Sequence, residues 1–331
     1  MSGKTFRRYL VEETEPGKFN GTVGEGNLDD LSGGDTLIRV HYSSLNYKDA
    51  LSATGNKGVT KKYPHTPGID AAGEVVSTGN RELAPGQEVI VTGYDLGMNT
   101  SGGFAEYISV PGEWVCPLPD GLQLKESMIL GTAGLTAALS VRGVVNNGIN
   151  PDDGAVLVTG STGGVGSLAV AILAKCGFNV SAVTGKADQA EFLKTVGAHD
   201  VVPRSQFLDV KDRPLLKESW AAVIDTVGGE PLNVAVRSAA YGGTVTTCGM
   251  VASPKLNLTV FPFILRGVSL LGIDSVQCAH QVRNEIWSRL ATEWRIPQLD
   301  AMSTEIGLDD INEYIPMILD GRVRGRTVVA V

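Results

Sequence analysis

The chain has 331 residues, of which 43% are hydrophobic and 19% are charged, and its formal net charge is −8 at pH 7. This length and composition are typical of a globular protein with room for two domains. The negative charge argues against nucleic acid or an anionic membrane as the main partner. No run of about eighteen apolar residues and no signal peptide is found, so we expect a cytoplasmic protein.

The four cysteines lie far apart in the sequence and form no C-x-x-C pair. Their spacing fits neither a disulfide framework nor a zinc site. We therefore predict free thiols and no bound metal. The residues are Cys116, Cys176, Cys248 and Cys278.

The first third of the chain is rich in short alternating segments that are separated by glycine and proline. Alternation of apolar and polar residues predicts strands, and the breaks predict turns. A turn is expected at 32–35, and a loop that enters a short helix is expected at 44–51. The predicted strands are 6–11, 36–43, 69–76, 88–92 and 105–110. Together they indicate a compact, β-rich, barrel-like domain.

Near residue 125 the character of the sequence changes. A helical segment at 125–145 leads into strands that alternate with helices, which predicts a doubly wound parallel sheet. Helices at 281–293 and 309–319 then lead to a final strand at 326–331, and we expect this tail to return to the first domain. The predicted domains are 1–124, 125–270 and 271–331. The strands of the sheet are predicted at 155–158, 179–183, 199–202, 222–225, 244–248 and 268–272.

A glycine loop follows the strand at 155–158. Its spacing is G-x-x-G-x-x-G, with Gly160, Gly163 and Gly166 between the strand and an apolar helix. Glycine permits unusual backbone angles and close approach of a pyrophosphate, and free N–H groups at a helix start attract the anion. The pattern predicts dinucleotide binding, and the alternative is an ordinary glycine-rich connection. The predicted cofactor contacts are Thr162, Gly163, Gly164, Val165 and Gly166.

The end of the next strand favours NADPH over NADH. NAD sites usually place Asp or Glu there, whereas this chain has Thr184, Gly185 and Lys186. A hydroxyl and an ammonium can bind a 2′-phosphate, and Arg204 would add a second cation. The alternative is that Lys186 and Arg204 are solvated surface charges. Asp188 would oppose phosphate binding unless it points away.

Five motifs resemble those of the medium-chain dehydrogenase/reductase superfamily. They occur in the superfamily's order and span nearly the whole chain. The resemblance implies a GroES-like barrel domain and a Rossmann domain. The motifs are PGIDAAGEV at 67–75, PGQEV at 85–89, GGFAEY at 102–107, GTAGLTA at 131–137 and DTVGG at 225–229.

The chain lacks the zinc ligands of the superfamily's alcohol dehydrogenases. Those enzymes carry a cysteine where this chain has 45–47 (LNY), and Gly-His-Glu where it has 68–70 (GID). It therefore resembles the zinc-free quinone oxidoreductase and enoyl reductase branch. SSLNYKDAL at 43–51, PFILR at 262–266 and GIDSV at 272–276 resemble its acryloyl-CoA reductases. This implies NADPH-dependent reduction of acryloyl-CoA, a small acyl-CoA thioester, by a cytoplasmic homodimer.

The resemblance also implies roles for individual residues. Tyr47 is predicted to stabilise the enolate oxygen or to donate a proton, and the alternative is that it only lines the nicotinamide pocket. Asn46 is predicted to orient a carbonyl or carboxamide. A structural role is expected for Asp49, as a cap, and for Asp70. Further cofactor contacts are implied for Met250, Ile264 and Ser275.

Three points are left open by the sequence. Arg322, Arg324 and Arg326 are either a phosphate-binding cluster or solvated charges. The apolar strand at 268–273 is expected at a sheet edge, where it would pair across a two-fold axis. The alternative functions are a quinone or α,β-unsaturated carbonyl reductase, and a protein that binds NADPH without turnover.

Overall fold

A computed structural model describes residues 3–31 and 33–331. The chain divides into two compact units. Unit 1 comprises the chain up to Thr132 together with Val276–Ala291 and Gln298–Val331, and unit 2 comprises Ala133–Ser275 and Thr292–Pro297. The domain boundaries expected from the sequence, after residues 124 and 270, remain a proposal. Ser32 of the predicted turn lies outside the described residues.

The described ranges contain the following strands and helices. The strands are β1 (Thr5–Glu15), β2 (Lys18–Asn27), β3 (Thr36–Leu45), β4 (Asp70–Thr78), β5 (Glu88–Thr92), β6 (Tyr107–Val110), β7 (Val115–Pro117), β8 (Val156–Val158), β9 (Val180–Thr184), β10 (Asp200–Pro203), β11 (Trp220–Asp225), β12 (Ala239–Thr247), β13 (Ser269–Gly272), β14 (Ser303–Gly307) and β15 (Arg326–Ala330). The helices are α1 (Tyr47–Ala53), α2 (Leu124–Asn146), α3 (Gly164–Lys175), α4 (Ala190–Thr195), α5 (Arg204–Leu208), α6 (Gly229–Ser238), α7 (Phe261–Arg266), α8 (His280–Ala291) and α9 (Ile311–Leu319).

Unit 1 contains a mixed seven-stranded sheet. The strand order is β14-β15-β3-β4-β5-β7, with β6 paired to β3, and β1 and β2 form a separate hairpin. The last strand, β15, runs antiparallel to β3 and parallel to β14, so the tail returns to the first sheet as predicted. The β3 strand extends to Leu45, two residues into the predicted loop, because its end pairs with β15.

Unit 2 contains a six-stranded parallel sheet with the order β10-β9-β8-β11-β12-β13. In chain order this is 3-2-1-4-5-6, the arrangement of the Rossmann fold. The α/β prediction is therefore confirmed. Strand β13 lies at the edge of the sheet, as expected, and its pairing with a second copy stays a prediction.

Helix α2 is long and apolar. By length and composition it would be able to cross a membrane, but 78% of its most apolar 18-residue window is buried inside the protein. Such burial is typical of a core helix. The helix is interrupted at Gly131, whose φ of 52° and ψ of −156° are not helical.

Candidate functional site

The glycine loop of unit 2 connects β8 to α3. Gly160 has a φ of 61°, which favours glycine. A Cβ at Gly166 would lie 2.3 Å from the carbonyl oxygen of Gly160, so helix and loop pack too closely for any side chain there. Gly163 is the N-cap of α3, and a Cβ at this residue would come no closer than 3.4 Å to another atom. The loop thus presents a bare backbone at a helix start, which suits a pyrophosphate.

A buried carboxylate supports this loop from the neighbouring strand. Asp225, at the end of β11, accepts hydrogen bonds from Thr159 Oγ1 at 2.7 Å and from the Gly228 N–H at 2.8 Å. Thr226 also contacts Thr159, since its hydroxyl donates to the Thr159 carbonyl at 2.9 Å. Burial raises the pKa of Asp225. The sequence marked Asp225 only as part of a motif, because its partners lie on another strand.

The predicted phosphate-binding residues meet at the ends of β9 and β10. Pro203 pairs with Thr184, which brings Arg204 beside Gly185. A Cβ at Gly185 would lie 2.8 Å from the guanidinium carbon of Arg204, so the guanidinium packs on the glycine. The Lys186 N–H donates to Thr184 Oγ1 at 3.0 Å. Burial lowers the pKa of Lys186, and Asp188 acts in the opposite direction. Two cationic side chains therefore flank this turn.

The three later residues with predicted cofactor contacts have different environments. Met250 and Ile264 are 70% and 68% exposed, respectively. Ser275 is buried, and its Oγ accepts a hydrogen bond from Thr136 Oγ1 at 2.7 Å. Contact of these residues with a cofactor stays a prediction.

In unit 1, the start of α1 is held by Asp49. One carboxylate oxygen accepts the Asn46 N–H at 2.8 Å, and the other accepts the N–H groups of Gly68 and Ile69 at 3.2 and 2.9 Å. Asp49 is therefore the predicted cap, and it also ties α1 to the segment before β4. Burial, together with the charge of Asp70, raises the pKa of Asp49 to about 7.

Beside this cap, Ser44 and Asn46 link two buried side chains of opposite charge, Asp70 and Arg326. Asp70 Oδ2 accepts hydrogen bonds from Ser44 Oγ at 2.6 Å and from Asn46 Nδ2 at 2.8 Å. Arg326 donates from Nη1 to Asn46 Oδ1 at 3.2 Å and from Nη2 to Ser44 Oγ at 2.9 Å. The structural role expected for Asp70 agrees with these contacts.

The arginine-cluster hypothesis is wrong for Arg326. Arg326 is only 3% exposed, so its guanidinium is neither a solvated charge nor an open phosphate ligand. It faces inward because β15 places it against buried carboxylates, which the sequence spacing does not reveal. Arg322 is exposed and pairs with Asp320 at 3.1 Å, and Arg324 is exposed. Binding of CoA by these two residues stays a prediction.

The two predicted catalytic residues differ in accessibility. Tyr47 is the first residue of α1 and is 38% exposed. Asn46 is buried, and its amide contacts Asp70, Arg326 and Ser44. Their catalytic roles stay predictions. Within 3–31 and 33–331, no group of three or more His, Cys, Asp or Glu residues is placed to hold a metal ion.

Two family profiles match the chain. The alcohol dehydrogenase GroES-like domain matches residues 32–120, and the zinc-binding dehydrogenase profile matches residues 164–292. A glycine loop on a parallel sheet, in one chain with a sheet of the GroES-like type, defines a dinucleotide-dependent dehydrogenase or reductase.

Comparison with similar proteins identifies which members of this enzyme class the chain resembles. "Putative quinone oxidoreductase YhfP" of Bacillus subtilis (strain 168) is 45% identical over 92% of this chain and 92% of that protein. Its solved structure, with NAD bound, has a TM-score of 0.96 at 42% identity and covers 99% of this chain and 100% of that chain. "Acrylyl-CoA reductase AcuI" of Ruegeria pomeroyi is 41% identical over 98% of this chain and 99% of that protein.

A further solved structure is similar along its whole length. The yhdH oxidoreductase from Salmonella enterica in complex with NADP has a TM-score of 0.95 at 42% identity, and the match covers 98% of this chain and 99% of that chain. The chain belongs to the medium-chain dehydrogenase/reductase superfamily, in its quinone oxidoreductase-like branch. The resemblance seen in the sequence is thereby confirmed.

Substitution of Gly166 by alanine is expected to lower the free energy of unfolding by about 1–3 kcal/mol, since the new methyl group overpacks the loop. Gly24→Ala is the control, because a Cβ there meets nothing within 4 Å. Its effect should stay within about 0.5 kcal/mol. Urea unfolding measures both values, and equal losses would contradict the packing argument.

Asp49 is expected to make stability depend on pH. Its folded pKa of about 7 lies above the unfolded value of about 3.9, so the folded state binds more protons between these values. The stability that Asp49 contributes is present below pH ~4 and is lost as the pH rises toward about 7. The unfolding free energy of wild type minus that of Asp49→Asn should therefore fall across this range and then level.

Urea unfolding at a series of pH values checks this expectation, with Asp309→Asn as the control. Asp309 is an aspartate of the same unit whose side chain is 71% exposed. A difference that rises with pH, or one that Asp309→Asn reproduces, would refute the assignment to Asp49.

Proposed function

We propose that this chain reduces the carbon–carbon double bond of acryloyl-CoA to give propionyl-CoA, with NADPH as the hydride donor. The protein is an NADPH-dependent oxidoreductase, and the acyl-CoA thioester substrate is the part that we propose. The supporting observation is the similarity to the acrylyl-CoA reductase of Ruegeria pomeroyi, which extends over 98% of the chain.

The charge pattern at the end of β9 supports the choice of NADPH. The turn carries a hydroxyl and a backbone glycine in place of the acidic residue that holds a ribose 2′-hydroxyl in NAD sites. Arg204 packs on Gly185, and Lys186 follows it, so two cations are available to a 2′-phosphate. The yhdH oxidoreductase structure, which is 42% identical to this chain, has NADP bound, and the YhfP structure has NAD bound.

The proposed reduction requires two contributions from the protein besides binding the cofactor: stabilisation of negative charge and delivery of a proton. The nicotinamide, when bound, supplies the hydride that adds to the β-carbon. The chain's own residues must stabilise the negative charge that develops on the thioester oxygen, and a proton must reach the α-carbon. We propose that Tyr47, which is partly exposed at the start of α1, donates this proton or a hydrogen bond to the oxygen. We further propose that Asn46 orients the neighbouring polar groups.

The second candidate is reduction of quinones or of free α,β-unsaturated aldehydes and ketones. It is favoured by the name of YhfP, which is similar over 92% of the chain. The cofactor and fold would be the same, and only the substrate would differ. We also propose that the protein is a cytoplasmic homodimer in which the edge strand β13 contributes to the interface, as expected from its apolar sequence.

Oxidation of NADPH, followed at 340 nm, separates these candidates. We expect kcat/KM for acryloyl-CoA to exceed that for free acrylate and for a simple quinone at least a hundredfold, because the CoA group supplies binding energy. Crotonyl-CoA, in the same series, reports tolerance of a longer acyl chain. Turnover of the quinone alone would overturn the acyl-CoA substrate, and turnover of none of them would favour a binding protein.

The cofactor assignment predicts that Arg204→Gln lowers the ratio of kcat/KM for NADPH to that for NADH at least tenfold, since a charge-assisted contact to the 2′-phosphate is lost. Arg213→Gln is the matched control, because this exposed arginine lies on the same unit away from β9. The ratio is measured with one acyl-CoA substrate throughout. An unchanged ratio in Arg204→Gln would remove Arg204 from the cofactor site.

A further inference from the structure

The break in α2 lies directly against the buried polar cluster of unit 1, which consists of Ser44, Asn46, Asp70 and Arg326. A Cβ at Gly131 would lie 2.6 Å from Asp70 Oδ2, 2.8 Å from Ser44 Oγ and 3.1 Å from Arg326 Nη2. Glycine and its positive φ are thus required where the helix meets this cluster. The helix break and the buried polar cluster are therefore in direct contact.

Charged side chains bind the backbone on both sides of the break. Arg326 Nε donates to the carbonyl oxygen of Ile129 at 2.9 Å. The N–H of Thr132 donates to both oxygens of Asp70, at 3.0 and 3.1 Å, and its hydroxyl donates to Oδ1. A helix break exposes backbone groups that must find other partners, and here a guanidinium and a carboxylate supply them.

The same two side chains hold the residues that precede Tyr47. Asp70 and Arg326 each contact both Ser44 and Asn46, so the Asn46 amide is fixed through its nitrogen and its oxygen. Asn46 is the N-cap of α1, and Tyr47 is the next residue. A displacement of Asp70 or Arg326 would therefore act on Asn46, which is one peptide bond from Tyr47.

The planar guanidinium is needed for this geometry. Arg326 donates from Nε, Nη1 and Nη2 to three acceptors on two segments, Ile129 of α2 and the junction of β3 with α1 at Ser44 and Asn46. A lysine ammonium is a compact charge on a flexible stem and cannot match this fork. Arg326 is buried with Asp70 and Asp49, so misplacing its charge would also leave polar groups without partners.

We propose that Arg326 is a positioning residue for the reaction, which fixes Asn46 and thereby the backbone at Tyr47. The inference rests on the role proposed above for Tyr47. Arg326 contacts no reacting atom in this account, and it acts only through the cap of α1. Its loss should slow the chemical step and leave the binding of NADPH, whose predicted ligands are mainly on unit 2, unchanged.

The test is a double-mutant cycle with Arg326→Lys and Tyr47→Phe, measured as kcat with acryloyl-CoA at saturating NADPH. Each single variant is expected to lose at least tenfold in kcat, whereas the double variant should lose no more than Tyr47→Phe alone. The dissociation constant for NADPH, from fluorescence titration, should change less than threefold. Arg7→Lys is the matched control, since Arg7 forms an exposed pair with Asp309 in the same unit.

The outcomes separate the two proposals. Losses that multiply in the double variant would show that Arg326 acts independently of Tyr47 and would overturn the inference alone. A loss below tenfold in Tyr47→Phe would overturn the role of Tyr47 and the inference with it. If Arg326→Lys does not fold, as judged by circular dichroism, Ser44→Ala takes its place in the cycle, because it removes the hydroxyl that contacts both Arg326 and Asp70 and keeps both charged side chains.

Discussion

One constraint runs through unit 1: the buried side chains of Asp70 and Arg326 are held together by Ser44 and Asn46, which contact both of them. It joins segments that are distant in sequence, since Arg326 and Ser44 are separated by 282 positions. Buried charges need hydrogen-bond partners, and here Asp70 accepts from Ser44 and Asn46 while Arg326 donates to the same two side chains. The same two charged side chains therefore contact the helix break, the end of β3 and the start of α1.

In unit 2 a buried carboxylate, Asp225, also holds the glycine loop, through Thr159. Its loop must present bare backbone at the start of α3, so the side chains that hold it come from the adjacent strand β11. Asp225 and Thr226 serve this purpose through Thr159. In both units a buried carboxylate at the start or end of a strand organises the groups around it.

Much of the fold could be predicted because its signals are local. The glycine loop and the parallel strands of unit 2 follow from spacing and period, and Lys186 and Arg204 meet because the carboxyl ends of neighbouring parallel strands lie together. The hairpin strand β2 was not predicted, since three glycines and many polar residues hide its alternation. The partner of Arg326 could not be predicted, because strand pairing over a long sequence separation decides which way that side chain points. Contacts of the predicted site residues with cofactor and substrate stay predictions.

The position of β15 within its sheet has a consequence for how the protein is made. On the ribosome, residues 133–275 of unit 2 emerge before β15 does, and β14 and β3 of unit 1 gain their shared neighbour only when residues 326–330 arrive. Until then, β3 presents an unpaired edge and Asp70 lacks its guanidinium partner. Exposed strand edges favour misassembly, so closure of the unit 1 sheet by residues 326–330 removes such an edge as the last part of the chain is added.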